Sequence, residues 1–438
     1  MKYHLCKPLG FFLVMFSGAA LAGGGLSQPP PAAEMASVLV PVSALPDGLE
    51  MPDVALGDSG TIFLLPTNLP DRPEMPDAMV MSDGTKVTTL KQWRQRREEM
   101  KQILEFYELG HAPPPPGNVS GQELQSRNVL AGAAQFRLVH LKFGPGEKLG
   151  FDVAIFTPAK GGPFPTIINP SFNATPGVVV TNPPARAPGG AVDPETAARG
   201  FSNVLTRGYA VLTYRYTQCG SDDTNFAQSA FFPAYPNYSW GVLSAWAWGL
   251  SRCVDYVETQ PFADTNRLIA LGHSRLGRLV LVATAFDERI ALGAPAASCG
   301  AGSGAYRFCG PGRGGGEGVE DLMRKFPWYF VPQFKEFGSQ VQKLPFEAYW
   351  YIALAAPRPW IDAEGTTDTL CLPSAIRRSV LAARPVYEFL GVSAGRVGVN
   401  YGEHGHALAP GDWTAVLDFA DQQLRGIDHQ RKFDQFPP

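Results

Sequence analysis

Ser274 stands in Gly272-His273-Ser274-Arg275-Leu276-Gly277, between the apolar run Leu268 to Leu271 and a run of Leu, Val and Ala that reaches Ala285. Buried strand, tight turn and buried helix are the parts of a nucleophile elbow, in which a strained corner presents a serine hydroxyl at the edge of a sheet. The spacing is Gly-x-Ser-x-x-Gly, one residue looser than the common Gly-x-Ser-x-Gly. Taken alone it also fits a glycine-flanked turn with an incidental serine.

A serine hydroxyl attacks an acyl carbon only when a histidine takes its proton and a carboxylate holds that histidine in the right tautomer. In α/β hydrolases these follow in the order Ser, acid, His. Downstream of Ser274, His404 and His406 lie in the loop Asn400 to His406, and His429 falls in the polar tail. Asp362, Glu364 and Asp368 follow the apolar stretch Ile352 to Trp360 and are the candidate acids. Each of these groups reads equally as a solvated turn residue until something brings them together. Arg275 follows the serine directly, so its amide faces a developing oxyanion and its guanidinium offers a second, charged donor. As a surface charge the guanidinium would take no part in this.

The elements that must position these groups are a parallel sheet and its crossover helices. Thr88 to Leu109 has the period of an amphipathic helix, stopped by Gly110 and Pro113 to Pro116. Residues 124 to 157 alternate as antiparallel strands, Phe136 to Phe143 and Phe151 to Phe156 among them. Short apolar runs follow at Thr166 to Ile168, Tyr209 to Thr213, Leu268 to Leu271, Ile290 to Ala294, Ile352 to Trp360 and Val397 to Asn400. They are separated by longer connections, as parallel strands require. Helices are expected at Trp240 to Glu258 and Pro410 to Leu424, and Gly300 to Gly316 reads as an irregular insertion near the site rather than core. The expected class is α/β: an α/β-hydrolase fold, a three-layer sandwich with a central, mostly parallel sheet.

Lys2, Lys7, the apolar run Leu9 to Leu21 and Ala20-Leu21-Ala22 read as a signal peptide over residues 1–22. Residues 23–52, with Pro29-Pro30-Pro31, read as a flexible linker, and residues 53–438 as a single catalytic domain. Secreted or periplasmic placement is therefore expected, with no membrane span, since no second apolar run is long enough. A net charge of −3 without a basic cluster argues against nucleic acid. Loss of the leader removes Cys6 and leaves Cys219, Cys253, Cys299, Cys309 and Cys371, an odd number, so at least one thiol stays free or pairs between chains. None has zinc-ligand spacing, and no metal is expected.

The sequence resembles the glucuronoyl esterases, carbohydrate esterase family 15, and their bacterial members in particular, from Ser82 to the carboxyl end. The resemblance is carried by Trp240-Gly241, Ala245-Trp246-Ala247-Trp248-Gly249-Leu250-Ser251-Arg252, the elbow with Arg278, Ala356-Pro357-Arg358-Pro359, and Asp412-Trp413 with Asp418-Phe419-Ala420. It implies Ser274 as nucleophile and Arg275 as the oxyanion-stabilising residue. It selects His406, seven positions before Trp413, over His404. Arg278 stands where the family uses a lysine on the sugar, and Glu317 matches a glutamate that contacts sugar hydroxyls. The family's usual acid position falls on Ala297. Some bacterial relatives use an acid after the Ala-Pro-Arg-Pro strand, which here is Asp368, with Glu364 in reserve. Leu370 lies close to where relatives carry a substrate-stacking tryptophan, a role left to Trp328 or Trp360.

With the expected leader, the resemblance thus implies an exported serine esterase, monomeric and without a cofactor, acting on esters of (4-O-methyl-)glucuronic acid that join glucuronoxylan to lignin alcohols. An acetyl or feruloyl esterase on the same fold would have less use for Arg275 and Arg278. A non-catalytic glycan-binding relative would explain the missing acid at Ala297 but leave Ser274 and His406 without a purpose.

Overall fold

The computed structural model describes residues 62–178 and 191–436, with the backbone of two short strands before them. The expected leader lies outside the described residues, as does the expected linker apart from Leu39–Val40. β1 (Leu39–Val40), β2 (Val54–Leu56) and β3 (Ile62–Leu64) pair as a small antiparallel sheet in the order β1-β3-β2.

The central sheet has nine strands: β4 (Ser120–Val129), β5 (Ala134–Phe143), β6 (Leu149–Pro158), β7 (Phe164–Ser171), β8 (Ala210–Arg215), β9 (Ala263–His273), β10 (Leu292–Ala296), β11 (Trp360–Gly365) and β12 (Val397–Gly402). Their order is β12-β11-β10-β9-β7-β8-β6-β5-β4. The strands from β8 to β12 run parallel, and β4, β5 and β6 join antiparallel at one side. Around the sheet lie α1 (Leu90–Leu104), α2 (Pro194–Gly200), α3 (Ser202–Thr206), α4 (Val242–Val257), α5 (Arg275–Phe286), α6 (Val319–Lys325), α7 (Tyr349–Ala355), α8 (Pro373–Phe389) and α9 (Pro410–Ala420).

Alternate strand residues enter two different cores. Ile168, Leu212, Leu268 and Ala270 pack with side chains of α4, α5, α7 and α8, whereas Ile167, Val211, Ile269 and Leu271 pack with α3 and α9. Burial on both faces is why these strands read as unbroken apolar runs, and it gives the three layers of an α/β hydrolase. β8 and β9 lie on opposite sides of β7, so the sheet changes its direction of growth there. Open α/β sheets bind ligands at the carboxyl ends beside such a switch point, and Ser274 immediately follows β9.

Two expectations are corrected. The run Ile352 to Trp360 is not one strand: Tyr349–Ala355 is helix α7, and β11 starts only at Trp360. A helix buried on all sides has no polar face to reveal its period, so it reads like a buried strand; Pro357 and Pro359 mark the break. Gly300 to Gly316 is irregular as expected, but its first half is interior: residues 300–307 are buried. A methyl on Gly300 would sit 1.9 Å from the Glu317 carbonyl oxygen, and one on Gly302 2.4 Å from that of Ser298. These glycines serve close packing. α1 is tied to the end of α7 by Arg97, which donates to the carbonyls of Leu354 and Ala356. Beyond α1 the chain widens into a π-turn, Glu105–Leu109, and buried Glu108 there accepts from the hydroxyls of Tyr306 at 2.6 Å and Tyr351 at 2.7 Å.

At the other end of the sheet, the tail after α9 runs along β12. The Val399 amide donates to the Phe433 carbonyl at 2.7 Å, Arg431 donates to Asn400 Oδ1 at 2.6 Å, and the Phe433 ring packs on Phe419.

Candidate active site

β9 ends in the elbow. Ser274 adopts φ 58° and ψ −126°, a left-handed conformation that costs a side-chain-bearing residue free energy and persists only where its surroundings impose it. They do so here. The Ser274 amide donates to the Ala296 carbonyl at the end of β10 at 2.8 Å, fixing the corner to the next strand. A methyl on Gly272 would stand 2.3 Å from the Leu276 carbonyl oxygen, and one on Gly277 3.0 Å from that of Ala296. Gly277 therefore lets α5 pass the end of β10, and the extra residue in the motif does not disturb the corner.

The structure brings three of the sequence candidates together. His406, in the loop after β12, has Nε2 2.9 Å from Ser274 Oγ and Nδ1 2.7 Å from Asp368 Oδ2. Asp368 comes from the turn after β11, and its side chain is fully buried. Its other oxygen accepts the amides of Leu370 at 2.8 Å and Cys371 at 3.3 Å. Oriented in this way, the carboxylate favours the tautomer that leaves Nε2 free to take the serine proton. The three residues come from the ends of β9, β11 and β12.

Asp362 and Glu364 lie on β11 itself, fully buried, because that strand starts later than the sequence suggests. Burial pushes both carboxyls up, Asp362 to about 6 and Glu364 well above its usual range, with Asp362 adding to the effect on Glu364. Ala297, at the usual acid position, is buried and donates its amide to the Ala363 carbonyl. His404 turns the other way, with Nε2 3.0 Å from Asp412 Oδ2. Asp412 also accepts from the Ala409 amide and the Asn400 side chain, so the Asp-Trp motif braces the histidine loop. His273 lies beside His406, with ring centres 4.8 Å apart. Burial, with His406 and His404 nearby, pushes it down to about 4, so it stays uncharged at neutral pH.

Cys299 and Cys371 form a disulfide. It ties the segment after β10 to the Asp368 turn, with its sulfurs 4.0 and 3.9 Å from His406 Nδ1. These sulfurs, Asp368 and His406 are donor types that hold zinc, within 4.8 Å of one another, but cysteines joined to each other have no thiolate to offer. Cys219, Cys253 and Cys309 are buried free thiols.

Arg275 caps the elbow with its guanidinium paired to Asp222, 4.9 Å from the Phe326 ring centre and 6.0 Å from that of Tyr329. Trp328 is half-buried and donates its indole N–H to Asp222 at 2.9 Å. Arg278 and Glu317 are both buried and paired with each other; Arg278 also donates to the Ser298 carbonyl, and Lys325 approaches Glu317 from the more exposed side. Trp360 is entirely interior on β11, which removes it as a sugar-stacking residue. Leu370 is exposed on the Asp368 turn. Sequence reasoning did not reach Asp222 or the Cys299–Cys371 pairing. Neither has a local signal, since each acts on residues distant in the chain.

A family model described as "Glucuronyl esterase, fungi" matches residues 144–391. A 4-O-methyl-glucuronoyl methylesterase of Phanerochaete carnosa is 30% identical over 356 residues, covering 79% of this chain and 80% of that protein. Among solved structures, a family 15 glucuronoyl esterase from Caldicellulosiruptor kristjansonii superposes with a TM-score of 0.67 at 31% identity, over 83% of this chain and 93% of that one. A glucuronoyl esterase from Solibacter usitatus gives 0.72 at 25% identity, over 82% and 100%. The expected fold and family are thereby shown: the chain belongs to the glucuronoyl esterases of carbohydrate esterase family 15 and is a carboxylic ester hydrolase.

Proposed function

We propose that the protein is an exported serine esterase that hydrolyses esters of (4-O-methyl-)glucuronic acid, freeing glucuronoxylan from lignin alcohols. The observation that carries this reading is the chain of contacts Ser274 Oγ to His406 Nε2 at 2.9 Å and His406 Nδ1 to Asp368 Oδ2 at 2.7 Å, in a chain of this family. Ser274 attacks the C6 carbonyl while His406 accepts its proton and then delivers it to the leaving alcohol. Asp368 stabilises the imidazolium formed in between. Arg275, with backbone amides at the start of α5, stabilises the tetrahedral oxyanion. Water, activated by the same histidine, then cleaves the acyl-enzyme and releases glucuronate. Trp328, Arg278 and Glu317 are assigned to the sugar side of the site, which Lys325 also borders. The Cys299–Cys371 bridge supports export, since disulfides persist in oxidising compartments.

The test is hydrolysis of benzyl glucuronate beside p-nitrophenyl acetate by wild type, Ser274→Ala and Asp368→Asn. Preference for the glucuronate, lost in both variants, is the expected result. A family 15 esterase from a marine bacterial metagenome, similar in fold, is described as promiscuous, which makes the acetyl arm informative. Acetyl preference would move the assignment to a general carbohydrate esterase, and no turnover of either ester would overturn the catalytic reading.

A further inference from the structure

Three side chains, one from the same loop and two from distant parts of the chain, donate to one carboxylate. Asp222 lies in the loop that follows β8. Its Oδ2 pairs with the Arg275 guanidinium and accepts the Tyr216 hydroxyl at 2.7 Å, while its Oδ1 accepts the Trp328 indole N–H at 2.9 Å. The carboxylate is nearly buried, with 11% of its side-chain surface exposed. The loop itself is anchored. Trp246, fully buried in α4, donates its indole N–H to the Gly220 carbonyl at 2.8 Å, and the Ser221 amide donates to Ser229 Oγ at 2.8 Å. The Trp246 ring packs edge-on against Tyr216 and Tyr329. Part of the Trp-Ala-Trp-Gly motif therefore supports a loop whose outer end reaches the residue next to the nucleophile.

We propose that Asp222 is a positioning residue for the reaction: it fixes the Arg275 guanidinium beside the elbow and ties it to Trp328, so that the donor for the oxyanion is in place before substrate arrives. This rests on the reading of Arg275 given above. An arginine side chain has several rotatable bonds, and a donor that must first be ordered contributes less to the transition state than one already in place. Asp222 and the aromatic rings around Arg275 supply that order, and burial alone would disfavour the charge that Asp222 helps to hold. The part of its effect that Asp222 exerts through Arg275 belongs to kcat and disappears when the guanidinium is removed, while an amide oxygen at position 222 can still accept from Trp328.

The experiment is a double-mutant cycle on benzyl glucuronate with Asp222→Asn, Arg275→Ala and the pair, each checked for a wild-type melting profile. Arg275→Ala is expected to lower kcat about 100-fold or more, and Asp222→Asn about 10- to 100-fold with KM within about threefold. In the Arg275→Ala background, Asp222→Asn is expected to change kcat by less than about twofold. Should Asp222→Asn not fold, Asp222→Glu keeps the charge but displaces it, and is expected to show a smaller loss with the same dependence on Arg275. Equal losses in both backgrounds, or wild-type kcat in the Asp222 variants beside an impaired Arg275→Ala, overturn this proposal alone. An unimpaired Arg275→Ala overturns the oxyanion reading of Arg275 and this proposal with it.

Discussion

Asp368 divides its carboxylate between two tasks: Oδ2 faces His406 Nδ1 at 2.7 Å, and Oδ1 takes the amides of Leu370 and Cys371 in its own turn. The turn therefore fixes the acid before the histidine meets it. Asp368→Asn keeps the shape but permits the wrong imidazole tautomer. It is expected to lower kcat about a thousandfold or more with little change in KM. Glu364→Gln, altering a buried β11 carboxyl, is expected to leave most of kcat, so steady-state kinetics of the two variants separate the two candidate acids.

The Cys299–Cys371 bridge closes a segment of 72 residues and lies against the same turn. Replacing both cysteines by serine is expected to cost up to about 4 kcal/mol of stability by the loop-entropy relation. It should also lower kcat, because the Asp368 turn loses its tie to the β10 side. Denaturant unfolding and kcat, measured on the same preparation, read both effects.

Arg278 and Glu317 form a buried ion pair. Removing Glu317 strands the buried Arg278 guanidinium, so Glu317→Gln alone is expected to cost about 3–5 kcal/mol, whereas Arg278→Met leaves Glu317 paired with Lys325 and is expected to cost less. The double variant is expected to cost less than the sum of the two, which urea titration of the four proteins measures.

Burial pushes the Glu108 carboxyl up to about 7, against hydrogen bonds from Tyr306 and Tyr351 that favour its ionised form. The folded state therefore holds a proton that the unfolded chain releases near pH 4.5. Its contribution is fully present below that pH and falls as pH rises towards about 7, by about 3 kcal/mol in total. Glu108→Gln is expected to flatten the pH dependence of the melting temperature between about pH 5 and 7 relative to wild type.

What the sequence made legible followed chain order and burial. Ser274 and the loop holding His404 and His406 could be placed because a strand, a turn and a helix leave local periods, and because the base must follow the acid. Choosing His406 and Asp368 needed the family resemblance; the contacts of His404 with Asp412 supply a physical reason for the first choice. The error over Ile352 to Trp360 arose because a fully buried helix and a buried strand share a composition. It made Asp362 and Glu364 look like loop residues and left Trp360 open as a sugar contact. Asp222 and the disulfide were out of reach for a different reason. Asp222 meets Arg275 across 53 positions, and no local pattern records such a meeting.

The tail that runs along β12 bears on how the protein can be handled. β12 is the last strand of the sheet and leads into the His406 loop, and without Phe433 and Arg431 its outer backbone would be open to pairing with another strand. Truncations that remove this tail would thus create an adhesive edge next to the loop that carries His406. Self-association of the protein, rather than loss of the elbow, is the failure they invite.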